Sequence, residues 1–145
     1  MEDYIGAFMQ RAEDTDVLIK GQRKVGSVHM GAIAIECLLK AVIIERFCID
    51  CWNKNSDGVE HGISNPGHDL VKAIQSVPEL RRRIPPYIIN FINIIQTPEK
   101  DYIDMRYRGE IITEELFKDW QSAYKRLRDW ILAQRPYLHG SRRGR

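Results

Sequence analysis

The most apolar stretch of the chain runs from His29 to Glu45, and two charged residues, Glu36 and Lys40, stand four apart inside it. At about 100° per residue, His29, Glu36 and Lys40 fall within about 40° of one another on a helix. Ile35, Leu38, Leu39, Val42 and Ile43 cover the rest of that helix surface. A helix that is apolar on most sides is a buried one, so the pattern predicts a central helix whose single polar stripe needs partners. The charges at Glu36 and Lys40 keep the uncharged run well below the roughly 18–20 residues that span a bilayer, which predicts a core helix and no membrane segment.

Other elements follow from the same reading. Ile5, Phe8, Met9, Ala12, Val17 and Leu18 share one face of a first helix over about Asp3 to Lys20, with Glu2 and Asp3 at its positive amino end. Gly21 breaks it, and Gln22 to Lys24 read as a short connector or the opening of the central helix, so the first two helices should pair antiparallel. From Cys48 to Gly67 the composition turns to Asn, Ser, Asp and Gly without periodicity, a surface loop of unusual length. His68 to Val77 reads as a short third helix, and Pro78 suits the first position of another turn. After Pro85-Pro86 the run Tyr87 to Ile95 is almost continuously apolar. Periodicity alone does not separate helix from strand there, but a lone strand would have no partner, which favours a helix. Glu99 to Ile112 reads as an ordered irregular linker. Thr113 stands as N-cap to the clearest amphipathic helix, with Leu116, Phe117, Trp120, Tyr124, Leu127, Trp130 and Ile131 at spacings of three and four. Pro136 is expected to close it. The sum is an all-α, up-and-down bundle of about five helices over residues 1–139, followed by a basic disordered tail over 140–145.

Composition narrows the function. A chain of 145 residues fits one domain with a self-sufficient core. The formal net charge is +2, and subtracting the three tail arginines Arg142, Arg143 and Arg145 leaves −1 for the remainder. Apart from that tail and Arg81-Arg82-Arg83, no cluster of basic residues suits strong nonspecific binding to duplex nucleic acid. The acidic amino terminus lacks the pattern of a secretory signal, and three cysteines fit free thiols in a reducing cytoplasm. Cys48 and Cys51 form a Cys-x2-Cys pair that His61 and His68 could complete as a zinc site. The seven-residue step between the histidines is longer than the usual ligand spacing, so free thiols in a loop are the preferred reading and no metal or cofactor is expected.

Ala34-Ile-Glu36-Cys-Leu-Leu-Lys40-Ala41, then Gly67-His68-Asp69-Leu70, then Tyr102 shortly before Arg106-Tyr107, occur in an order and spacing that resembles the HEPN domain family, over about residues 10 to 132. The resemblance implies a helical bundle, usually dimeric, from prokaryotic toxin–antitoxin and antiviral systems, often beside a minimal nucleotidyltransferase. Many members are metal-independent ribonucleases with an Arg-x4-6-His motif late in the domain. That chemistry needs one group to move protons and a cation to hold the phosphate as negative charge builds up. Here the corresponding region holds Arg106 and Arg108, but no histidine occurs between His68 and His139. One Arg-x5-His does occur, at Arg23 and His29, early in the chain. On a continuous helix these side chains would diverge, since six residues turn through about 240°.

Two readings of the central stripe stay open. Glu36 and Lys40 are an internal ion pair, or partners for His68, Arg106 or a loop carbonyl. Alternatively Glu36, Lys40, His68, Arg106 and Tyr107 line a polar pocket for a nucleotide or RNA phosphate, with Tyr102 or Tyr107 as a stacking face. The first expectation for function is a HEPN-like module that binds RNA or nucleotide, a homodimer with a nucleotidyltransferase or antitoxin as partner. The alternative is an active endoribonuclease using Arg23 and His29.

Overall fold

A computed structural model describes residues 2–98, 101–107, 109 and 111–143. Among them the chain forms α1 (Tyr4–Lys20), α2 (Lys24–Phe47), α3 (Leu70–Gln75), α4 (Pro78–Arg83), α5 (Pro86–Gln96), a 3-10 turn (Asp104–Tyr107) and α6 (Glu114–Arg143). No strand forms among the described residues beyond an isolated antiparallel bridge between Lys54 and Glu60. The all-α bundle is as expected, and its sixth helix is α4, the turn opened by Pro78 at its first position.

Local chemistry sets each boundary. The Asp3 side chain caps α1 by accepting from the Gly6 amide at 2.9 Å. Three residues join α1 to α2, which forces the two helices to pack antiparallel; Tyr4 at the start of α1 accordingly accepts a 3.4 Å bond from Trp52, just past the end of α2. Asp69 caps α3 through the Lys72 amide at 3.0 Å. Thr113 takes the Leu116 amide at 3.1 Å, so Thr113→Ala should lower the unfolding free energy by about 1 kcal/mol, read from a urea midpoint at constant slope. In α5, Ile88, Ile92 and Ile95 are buried while Tyr87 and Ile89 are exposed, the helical period that the bare apolar run conceals.

Pro136 does not close the last helix, which continues to Arg143. An internal proline removes one helical hydrogen bond and crowds the preceding turn. Tertiary contacts on both sides offset this: Arg135 bonds Glu45 at 2.6 Å, Leu138 is buried, and the Arg83 guanidinium lies 4.9 Å from the Tyr137 ring centre. Residues 140–143 of the expected tail are therefore helical, and Gly144 and Arg145 lie outside the described residues.

The core gathers on α2, where Val28, Ala32, Ile35, Leu38, Leu39 and Ile43 have no more than trace exposure. This helix is long and apolar enough to cross a membrane, but most of that stretch is buried among the other helices. Against it α6 lays Phe117, Trp120 and Tyr124 as a stacked column with ring centres 6.2 and 5.1 Å apart. Trp120 belongs wholly to the core, whereas Trp130 is half-buried. Gly31 makes the contact close: a Cβ there would stand 2.5 Å from a Trp120 ring carbon. At the far end Arg46 of α2 is buried on Glu79, with Nε and Nη2 at 2.8 and 2.5 Å from one carboxylate oxygen.

Candidate functional site

The polar stripe of α2 finds its partners on two distant segments. Glu36 Oε1 accepts from the Tyr102 hydroxyl at 2.5 Å and from His68 Nδ1 at 2.7 Å, and Oε2 accepts from Lys40 Nζ at 3.1 Å. One carboxylate thus holds α2, the start of α3 and the segment before the 3-10 turn together. Burial pushes the Glu36 carboxyl up, but the bonds from Tyr102 and His68 and the Lys40 ammonium outweigh it and hold the group below its ordinary value. Burial, and then the carboxylate itself, push the Tyr102 phenol far above its ordinary range, so it stays a donor. Burial likewise raises the neighbouring Cys37 thiol, which is thereby kept unreactive.

This geometry sorts the expected site residues. Tyr102 is fully buried, so it offers no stacking face and acts as a strut. Lys40 is buried too, its ammonium 5.7 Å from the centre of the Tyr4 ring. Tyr4 carries no sequence signal for that role. His68 differs, with 54% of its side chain exposed. Because a carboxylate can only accept, Nδ1–H is the donor to Glu36, which leaves Nε2 as the ring's polar atom on the exposed side. Gly67, at φ +66°, makes the left-handed turn that places His68 ahead of the α3 cap. The side chains of Arg106 and Tyr107 lie outside the described residues.

His68 opens onto a cleft of about 480 Å³ lined also by Pro66, Asp69, Gln96, Asp101, Ile103 and Asp104. That volume falls within the usual range for small-molecule sites. Gln96 builds the cleft floor. Its side-chain oxygen accepts from the Leu70 amide at 2.7 Å, and its amide nitrogen donates to the His68 carbonyl at 3.0 Å and to Asp101 Oδ2 at 2.9 Å. Its main-chain oxygen accepts from the Tyr102 amide at 3.0 Å. A polar residue closing an apolar run just before Thr97-Pro98 was the only trace of this role in the sequence. With three aspartates around one imidazole, the cleft is rich in acceptors and hostile to phosphate.

The early Arg-x5-His pair is not assembled within the chain. The His29 Nδ1–H donates to the Tyr102 carbonyl oxygen at 2.9 Å, a positioning bond on the inner side of the same linker. Arg23 is exposed at the start of α2, in a separate groove with Leu18, Lys24, Ile111 and Ile112. The zinc alternative fares no better. His61 Nε2–H donates to the Cys51 carbonyl at 2.8 Å while its Nδ1 accepts from the Ile63 amide at 3.0 Å, and His68 is held by Glu36. Cys48 occupies a left-handed cap at the end of α2. Among the described residues no group of three or more His, Cys, Asp or Glu side chains is placed to share a cation.

Comparison with protein-family models, with curated proteins and with solved structures finds no match to this chain.

Proposed function

We propose that this chain is a non-catalytic, HEPN-like helical module that binds a nucleotide in the His68 cleft with its nucleoside end inward. The observation that carries this reading is spatial. Glu36 and Lys40 from the first quoted motif, His68 from the second and Tyr102 ahead of the third meet on one carboxylate, and the oriented imidazole faces an acceptor-rich cleft. Ribose hydroxyls and base amines are donors and suit His68 Nε2 and the carboxylates of Asp69, Asp101 and Asp104. A phosphate would be repelled by those carboxylates and would point to solvent. The separate placement of Arg23 and His29 favours binding over RNA cleavage. Within this reading the chain works in the cytoplasm as a homodimer in a toxin–antitoxin or antiviral setting, with a minimal nucleotidyltransferase or antitoxin as partner.

Thermal unfolding with added ligand tests it. At about 100-fold excess over Kd, bound ligand stabilises by about 2.7 kcal/mol, which reads as a rise of several degrees. Nucleosides should match their nucleotides, and His68→Ala should abolish the rise. Absence of a rise with every nucleoside and nucleotide would sink the proposal. So would RNA cleavage in EDTA that disappears in His29→Ala, which would establish the endoribonuclease instead.

A further inference from the structure

We infer that the small cavity between α3, α4 and α5 binds a small apolar carboxylic acid, with its hydrocarbon group inward and its carboxylate at the rim. The cavity measures about 160 Å³. The buried side chains of Ile74 and Ile92 form its floor, half-buried Val71 and Ile84 its walls, and exposed Ile89, Gln75 and Arg81 its rim. Among the described residues Arg81 is the one charged residue on this lining, and it forms no ion pair. The acid on its own helix, Glu79, is taken by Arg46 at 2.5 Å.

An arginine in the last turn of α4 also complements the helix dipole, but that role needs no cavity beside it. An apolar cavity of about 150 Å³ is enough to hold a benzene ring. The space beside Arg81 therefore fits one ring or one branched alkyl group and no long chain. Burying that group on Ile74 and Ile92 supplies the driving force, while the guanidinium offers its fork to the carboxylate. Each half selects. A bare anion such as acetate gains nothing from the isoleucines, and a neutral hydrocarbon gains nothing from Arg81. A peptide terminus carries backbone amides that need partners, and Gln75 is the one uncharged polar side chain on the lining, so a free acid fits best. None of these residues lines the His68 cleft, so this inference stands independently of the nucleoside reading.

The test is methyl NMR of the full chain labelled at isoleucine and titrated with benzoate, 4-methylpentanoate, benzamide and acetate. Benzoate and 4-methylpentanoate should shift the Ile74 and Ile92 methyls saturably, and the Ile5 methyl on α1 should stay in place. Benzamide, which keeps the ring and lacks the charge, should bind about threefold or more weakly than benzoate. Acetate should leave the methyls where they are. Arg81→Ala should abolish the preference for benzoate over benzamide while benzamide binding persists. Because Arg81 is exposed, this variant should fold, and an unchanged melting temperature checks that it does. No saturable shift with either apolar acid, equal binding of benzoate and benzamide, an unchanged preference in Arg81→Ala, or equal shifts with acetate would each overturn the inference. So would tighter binding of N-acetylglycyl-leucine than of 4-methylpentanoate, which would assign the cavity to a peptide terminus.

Discussion

Replacing Glu36 by alanine lowers the unfolding free energy by about 3–5 kcal/mol at neutral pH, the range expected when one partner of a buried ion pair is removed. The change strands the Lys40 ammonium under the Tyr4 ring and leaves the Tyr102 hydroxyl and His68 Nδ1–H without their acceptor. Glu36→Gln keeps the volume and an oxygen that can still accept from Tyr102 and His68, so it should cost less, although Lys40 loses both its counter-charge and its acceptor. Removing both charges together, Glu36→Ala with Lys40→Met, should recover part of the loss, a coupling that a double-mutant cycle reads directly. Full additivity of the two single changes would refute the account. The pH dependence has a definite sign. The folded carboxyl titrates below its ordinary value of 4.5, so between the folded and unfolded values the unfolded chain binds more protons. The stabilisation is therefore complete above about pH 4.5 and is lost as pH falls through the folded value. Urea titrations across that window should show a shallower acid limb in Glu36→Gln than in the parent.

Trp120→Ala should cost about 3–5 kcal/mol, the cost of emptying a well-packed aromatic site. Trp120 is fully buried, stacked between Phe117 and Tyr124, and its ring edge fills the space that the missing side chain of Gly31 leaves on α2. Gly31→Ala attacks the same contact from the other side. Its Cβ would overlap two ring carbons at 2.5 and 2.6 Å, and neither the indole nor the helix backbone can retreat cheaply, so a loss of about 1–3 kcal/mol is expected despite the better helix propensity of alanine. Because the smaller ring of phenylalanine relieves the overlap, Gly31→Ala should be less harmful in a Trp120→Phe background than alone. Equal penalties in both backgrounds would show that α2 and α6 do not meet at this point.

Much of the fold was readable because the signals were local. The stripe at Glu36 and Lys40 within an apolar run pointed to a buried helix with polar business to settle, and the caps at Asp69 and Thr113 sit where short-range hydrogen bonding puts them. The site was less readable. Tyr102 looked like a stacking face because nothing in an irregular segment tells inside from outside; its burial follows from Gln96 and Glu36 drawing that segment inward. Pro136 looked like a helix end because its cost is local, while the contacts of Arg135, Tyr137 and Leu138 that outweigh it come from α2 and α4 and the core.

By itself the sequence determined the helical class, the identity of the central helix and the residues with unmet polar demand. All of these depend on spacing within a few turns, where backbone geometry dictates which side chains share a face. Only the tertiary structure decided which partners meet that demand. It made Lys40 and Tyr102 internal struts, left His68 facing a cleft, kept Arg23 apart from His29, and set Arg83 of α4 against the Tyr137 ring of α6. Most of those outcomes turn on encounters between residues more than 30 positions apart, such as Glu36 with His68 and with Tyr102, and no local periodicity encodes them.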